Sequence, residues 1–228
     1  MPDEPLVSVV ITVYNGAPYL AEAIESAHAQ TWPHVEVVVV DDGSDDGSDE
    51  VARAHDVVFE RLPERAGIGA ARNRAASLAS GEFVTFLDAD DRFPPDKLEV
   101  QLAEFRRDPT LDVVYGQVTE FVSPDVSPED AARIRPAVPR SESHLAGVML
   151  MRRAAYDRVG PWALGLKVGT GVEWYMRSVE LGLRTAVLDH VLLERRLHTA
   201  NNGLREAEHR SQYLSIVKAA LDRRRAGS

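Results

Sequence analysis

The chain has 228 residues, 44% of them hydrophobic and 27% charged, and a formal net charge of −10. That length can bury a full core in one domain, while the acidic balance argues against a generic nucleic-acid surface, where Lys and Arg displace counterions from phosphates. With no cysteine disulfides and thiolate zinc sites are excluded, in keeping with a reducing cytoplasm, and no apolar run approaches the length of a membrane span.

The acidic start Met1-Pro2-Asp3-Glu4 lacks the basic n-region of a secretory signal. Residues Val7 to Tyr14 are almost all apolar or β-branched, the pattern of an interior strand covered on both faces. Asn15-Gly16 breaks that strand, and Pro18, Leu20, Ile24 and Ala27 predict a helix ending near Trp32-Pro33. Glu36 to Val40 repeats the strand pattern, runs into Asp41-Asp42-Gly43-Ser44, and is followed by a short helix over residues 48–55. A third strand is expected at Val57 to Phe59, then a Gly-rich turn opening an alanine-rich helix from Gly67 to Ser80.

The next strand, Gly81 to Leu87, runs into Asp88-Ala89-Asp90-Asp91. At a spacing of two, Asp88 and Asp90 point to one side of an extended backbone, where water, a basic group or a hard divalent cation must offset their repulsion. A solvated acidic turn before Pro94-Pro95-Asp96 is the plain alternative. Alternating strands and helices of these lengths predict an α/β fold with a parallel, doubly wound sheet, in which ligands bind outside the carboxyl ends of the strands. Thr12 to Asn15, Asp41-Asp42 and Asp88 to Asp90 all fall at such ends and are expected to converge on one crevice.

Beyond Pro95 the sequence predicts a helix over 96–106 with Leu98, Leu102 and Phe105 inward, a strand over 112–121, and a Pro-, Asp- and Ser-rich surface loop from Ser123 to Arg140. That loop reads equally as a plain insertion or as an acceptor-binding lid. His144 precedes an apolar run to Met151, followed by a short helix over 153–159, a helix over 172–181, and strands at 184–188 and 191–193. The tail from Leu204 to Arg225 is amphipathic, with Tyr213, Leu214, Val217 and Leu221 expected on one face. Its terminal Arg223-Arg224-Arg225 suits a helix C-terminus and secondarily an anionic membrane surface. The whole is expected to form a single domain of two halves, 1–92 and 93–203 with the loop 123–142, followed by a C-terminal helix (204–228).

Four stretches together resemble family 2 glycosyltransferases: Val-Ser-Val-Val-Ile-Thr-Val-Tyr-Asn at 7–15, Val-Val-Asp-Asp-Gly-Ser at 39–44, Gly-Ile-Gly-Ala-Ala-Arg-Asn at 67–73, and Gly-Glu-Phe-Val-Thr-Phe-Leu-Asp-Ala-Asp-Asp at 81–91. The likeness continues loosely through Gly147 to Leu150, Val159-Gly160, Glu173-Trp174 and Arg196-Leu197-His198. It implies a Rossmann-like, mostly parallel sheet with flanking helices in the A-type nucleotide-diphospho-sugar transferase fold. It further implies a nucleotide-diphosphate sugar donor, with UDP-sugar favoured, Mn²⁺ or Mg²⁺, and inverting transfer of a hexose.

On this resemblance Thr12, Tyr14 and Asn15 flank the base and ribose, Asp42 accepts from a uracil N–H, and Gly67 and Gly69 let backbone approach the nucleotide. Arg72 pairs with phosphate or clamps a neighbouring carboxylate, and Arg195 or Arg196 meets the diphosphate. Asp90 coordinates the metal directly, Asp88 acts with Ala89 at the ribose or through water, and His198 completes the metal site. Family members place an acidic base at the start of a late helix. Here Gly169-Thr170-Gly171-Val172-Glu173-Trp174 lacks the common Glu-Asp pair, which leaves Glu173 as the candidate base, with His144 assisting. The acceptor is a glycan, peptide, lipid or small molecule. A homodimer and a peripheral membrane location are both compatible with the sequence. Two other readings are a non-catalytic nucleotide-sugar binding protein and a nucleotidyltransferase of related fold.

Overall fold

The computed structural model describes residues 4–134, 136, 141–143, 145–199, 201 and 210–226. Strand β1 (Val7–Val13) pairs in parallel with β2 (Val35–Asp41) on one side and β4 (Phe83–Asp88) on the other, and β3 (Val58–Arg61) extends the sheet beyond β2. Consecutive β1 side chains point to opposite faces. Val7 to Ile11 are nonetheless all at most 1% exposed, so both faces are covered and the strand is apolar without alternation. Helices α1 (Ala17–His28), α2 (Ser48–Arg53) and α3 (Ile68–Leu78) make the crossovers. In α1 the buried residues are Leu20, Ala23, Ile24 and Ala27, the helical spacing legible in the sequence. Register sets Thr12 opposite Asp88 and Val13 opposite Asp41, so three strand ends finish at one level.

The second half comprises α4 (Lys97–Arg107), β5 (Val113–Val122), α5 (Pro128–Ala131), β6 (Ser141–Ser143), a 3-10 turn at Ala146–Val148, β7 (Leu150–Arg152), α6 (Arg153–Val159), α7 (Thr170–Glu180), β8 (Thr185–Leu197) and α8 (Arg210–Ala226). Strand β7 lies antiparallel between β4 and β5, β6 continues antiparallel along the same edge of β5, and β8 pairs in parallel with β5 on its far side. The result is one eight-stranded mixed sheet with flanking helices. An aromatic cluster fastens the late helices to its centre: Phe86 of β4 meets Trp162 edge-on at 4.9 Å, and Trp162 and Tyr156 pack on Trp174 of α7 at 5.6 and 6.5 Å.

Two elements differ from the sequence expectation. The strands expected at 184–188 and 191–193 are one strand, β8, because register shifts opposite Tyr115–Val118 of β5 absorb the polar Asp189-His190 break. Gly116 permits this, since a Cβ there would lie 2.4 Å from Leu192. In α8 the buried residues are Ile216 and Ala220, whereas Leu214, Val217 and Leu221 are 74%, 42% and 47% exposed. The face that docks is therefore the one bearing Ile216 and Tyr213, which meet Gly169 just before α7, and the expected grouping of Tyr213 with Leu214, Val217 and Leu221 is corrected. Within the loop after β5, Ser127 caps α5 by accepting from Asp130 N–H. Among the described residues no helix is long and apolar enough to cross a membrane.

Candidate active site

A crevice of about 620 Å³ opens at the carboxyl ends of the parallel strands, and its lining includes Thr12, Tyr14, Asn15, Asp42, Arg65, Asp88, Ala89, Asp90, Arg195 and His198. The first corner is built by the turns after β1 and β2. Asn15 has φ 52°, a left-handed conformation that Asn tolerates better than most residues. Its backbone N–H donates to Ser44 Oγ at 2.9 Å, while its side-chain Oδ1 accepts from Asp45 N–H at 3.0 Å. Alternation separates the two acids that end β2. Asp41 is buried and folds its own turn, accepting from Ser44 N–H at 2.9 Å and Ser44 Oγ at 2.5 Å. Asp42, itself only 4% exposed, borders the crevice and accepts from Ala66 N–H at 2.7 Å and Gly67 N–H at 2.9 Å. Its carboxylate thus fixes the loop before α3, with lone pairs left over for a further donor.

Gly67 stands at the N-cap of α3 with φ 91°, a backbone that L residues with a Cβ avoid. The neighbouring Gly69 answers a different need from the one its motif suggests. A Cβ there would lie 2.3 Å from the Ala163 carbonyl oxygen, so the close approach it permits is that of the protein's own 161–164 segment. The loop also delivers Arg65, whose guanidinium stacks over the Tyr14 ring at 3.8 Å. Nothing in the sequence spacing links those two residues. Tyr19, Ile68 and Ala71 join the lining from helix faces and likewise carry no local motif.

The second corner is the acidic turn after β4. Asp91 N–H donates back to the Asp88 carbonyl at 3.0 Å. Asp91 itself is buried and accepts from Arg196 N–H at 2.8 Å. Burial, with the Asp90 and Asp88 charges beside it, pushes the Asp91 carboxyl well above the usual carboxylate range. Asp88 takes Arg72 Nη2 at 2.6 Å, the clamp alternative for that arginine. Asp90 Oδ2 meets His198 Nε2 at 3.0 Å and Asn201 Nδ2 at 3.1 Å. The His198 ring packs 4.8 Å from Tyr19, whose hydroxyl donates to Asp125 at 2.7 Å.

Arg196 requires a correction. Its side chain is 5% exposed and turns inward, donating to the Asp90 carbonyl at 2.9 Å, Ser123 Oγ at 3.1 Å and Glu22. Adjacent strand residues face opposite ways, so it is Arg195 that reaches the crevice, paired with Glu120 at 3.0 Å. Glu173 does not join the crevice lining either. Both of its oxygens accept from Arg177 one helical turn on, at 2.8 and 2.9 Å, and Arg177 also holds the Val159 and Pro161 carbonyls. His144 lies outside the described residues.

Among the described residues no group of three or more His, Cys, Asp or Glu forms a ready metal cage. The donor set still suits a hard cation. Mg²⁺ and its like are held by one or two carboxylates together with substrate phosphates rather than by an all-protein shell, and Asp90 with His198 offers one carboxylate and one imidazole at the crevice wall.

Residues 8–164 match the family model described as glycosyl transferase family 2. The chain belongs to that family. An uncharacterized glycosyltransferase of Rickettsia typhi is 30% identical over 220 residues, covering 90% of this chain and 69% of its own. A putative teichuronic acid biosynthesis glycosyltransferase of Bacillus subtilis, TuaG, is 40% identical over 104 residues, 43% of this chain and 41% of that one. Among solved structures, S. aureus TarS residues 1–349 in complex with UDP-GlcNAc superposes with TM-score 0.70 at 23% identity, over 86% of this chain and 60% of that chain. A Pyrobaculum calidifontis mannosyltransferase in complex with GDP-Man and Mn²⁺ gives 0.64 at 22%, over 88% and 59%. These likenesses establish an A-type glycosyltransferase fold for this family 2 glycosyltransferase, which spans about three fifths of the solved chains.

Proposed function

We propose that this glycosyltransferase takes a nucleotide-diphosphate sugar, in the first instance a UDP-sugar, and passes the sugar to an acceptor with inversion at the anomeric carbon. The observation that carries the proposal is the convergence of Tyr14, Asp42, Asp88, Asp90 and His198 on one crevice. Tyr14 presents an aromatic face for a base, and Asp42 an acceptor of defined direction for a ring N–H. Asp90 and His198 would hold Mn²⁺ or Mg²⁺, which supplies positive charge against the diphosphate as it departs. In the reaction an acceptor oxygen forms a bond to the anomeric carbon while the bond to the β-phosphate oxygen breaks. The electron pair leaves on the nucleoside diphosphate, and the acceptor proton passes to a base. TarS with UDP-GlcNAc and the mannosyltransferase with GDP-Man and Mn²⁺ support this donor class.

The Glu173–Arg177 pair favours a structural role for Glu173 over general-base catalysis, since Arg177 engages both of its carboxylate oxygens. The same observation favours a second reading, a nucleotide-sugar binding protein without turnover. Thermal-shift titration with UDP, UDP-GlcNAc and GDP-mannose, with and without Mn²⁺, tests the donor site. A ligand at a hundred times its Kd stabilises the folded state by about 2.7 kcal/mol, or roughly 5–10 °C for a chain of this size. No shift with any nucleotide would overturn the donor-site proposal. A shift without sugar transfer or hydrolysis across an acceptor panel would support the binding-protein reading.

A further inference from the structure

Arg72 is 4% exposed and lies in α3 behind the crevice wall. Its two terminal nitrogens are committed in different directions, Nη2 to Asp88 Oδ1 at 2.6 Å and Nη1 to Thr170 Oγ1 at 3.1 Å, while its guanidinium carbon sits 5.1 Å from the Trp162 ring. Thr170 is itself 6% exposed and is the first residue of α7, where the family resemblance leads one to expect an acid. We infer that Thr170 is a positioning residue for the donor site: its hydroxyl anchors Arg72 so that the guanidinium stays on Asp88 and sets the direction of that carboxylate in the crevice. The inference rests on the donor-site proposal above and extends it to a residue outside the crevice lining.

Two physical points support this role. A guanidinium is a planar fork of fixed geometry, so fastening one nitrogen orients the other. A neutral hydroxyl acceptor also satisfies Nη1 without competing for the charge, whereas a carboxylate at position 170 would draw Arg72 away from Asp88 into a second ion pair. The anchor is itself held from behind. Gly169, at φ 76°, is packed against Ile216 and Tyr213 of α8, and Gln212 Oε1 accepts from the N–H groups of Lys167 and Val168 at 3.0 and 3.2 Å. The hydroxyl thus projects from a helix start fixed on both sides. Asp88 is the receiving end, with its side chain 46% exposed and forming part of the crevice wall.

The test measures UDP affinity by calorimetry in Mn²⁺ for wild type, Thr170→Val, Thr170→Ser, Asp88→Asn and the double variant Thr170→Val/Asp88→Asn. Thr170→Val removes the hydroxyl at nearly constant shape and is expected to weaken UDP binding by about tenfold, the scale of one hydrogen bond, because a guanidinium unfastened at Nη1 no longer holds the Asp88 carboxylate in one direction. Thr170→Ser keeps the hydroxyl and is expected to restore affinity to within about twofold. In the Asp88→Asn background the Thr170→Val effect should vanish, because the residue acts through that carboxylate. Equal affinities for wild type and Thr170→Val, equal losses for Val and Ser, or full additivity with Asp88→Asn would each overturn the inference. If Thr170→Val does not fold, the comparison of wild type with Thr170→Ser and Thr170→Ala decides: retention by Ser with loss by Ala, which has no acceptor, supports it, and equal behaviour refutes it. Failure of the wild type to bind UDP would instead strike the donor-site proposal itself.

Discussion

Gly69→Ala provides the sharpest test of how the crevice wall is built. In an ordinary helix this substitution stabilises by about 1 kcal/mol, because alanine loses less backbone entropy. Here the new Cβ would lie 2.3 Å from the Ala163 carbonyl oxygen and 3.2 Å from its carbon, where separations under 3.0 Å are essentially never seen. Both partners are backbone, so neither relaxes by a rotamer change. The 161–164 segment must move away by most of an ångström, against the bonds that Asn73 makes to Trp162 N–H at 2.7 Å and its carbonyl at 3.0 Å. Overpacking of this kind costs about 1–3 kcal/mol and occasionally more. After the propensity gain a net loss of up to about 2 kcal/mol remains, equivalent to a fall of roughly 4–8 °C in Tm for a chain of this length. Thermal denaturation followed by circular dichroism, with Gly67→Ala as the comparison, measures it. Gly67 has nothing within 4 Å of its would-be Cβ and suffers from its φ of 91° alone. A Gly69→Ala protein melting above the wild-type temperature would refute the reasoning.

Asp90→Ala removes the carboxylate shared by His198 and Asn201, and any Mn²⁺-dependent gain in UDP-induced melting temperature should be lost while metal-free UDP binding persists. Glu173→Gln breaks the pairing with Arg177, and the expected result is a lower melting temperature with a transfer rate per folded molecule within about twofold of wild type; a collapse in rate would restore Glu173 as the base. Arg196→Met should lower stability by about 1–3 kcal/mol, because the Asp90 carbonyl and Ser123 Oγ lose a buried donor, while Glu22, its side chain 43% exposed, keeps Arg92; a fully stable protein with only weakened diphosphate affinity would contradict the inward orientation. Burial alone would raise the Glu36 carboxyl, but hydrogen bonds from Ser8, from Ser80 N–H and hydroxyl, and from Gly81 N–H hold it below its usual value. A depressed carboxyl contributes stability above its unfolded pKa that is lost as pH falls through the folded value, so wild type should lose its advantage over Glu36→Gln in urea melts below about pH 4.5; a constant difference across pH 3–7 would count against it.

Legibility differed between the two halves for physical reasons. The β1, β2 and β4 strands announce themselves because burial on both faces demands uninterrupted apolar runs, and the residues that end them must be polar to meet a ligand. Thr12, Asp42, Asp88 and Asp90 therefore stand out in one dimension. Arg65 over Tyr14, and Arg72 joining Asp88 to Thr170, depend on which loop crosses which strand end, information carried by distant packing rather than by spacing. Arg195 and Arg196 show the limit within a single dipeptide: strand alternation guarantees that one faces inward, but only the pairing of β8 with β5 decides which. The Glu173 expectation followed a motif position, whereas the side chain answers to its helical neighbour Arg177. In α8 apolar residues occur around much of the helix, so periodicity alone did not distinguish Ile216 and Ala220 as the docked pair.

The antiparallel bridge between Arg92 and Glu194, with backbone bonds of 3.0 and 3.1 Å in both directions, ties the acidic turn to the last strand of the sheet. It also sets an order on synthesis. Asp88 to Asp91 leave the ribosome with the first strands, but the partners of Asp90 follow more than a hundred residues later. Until β8 arrives, the repulsion among these acids has no answer from the C-terminal side. A nascent chain can thus close its Tyr14 and Asp42 corner early, yet it must wait for His198 and Asn201 before the Asp90 corner exists.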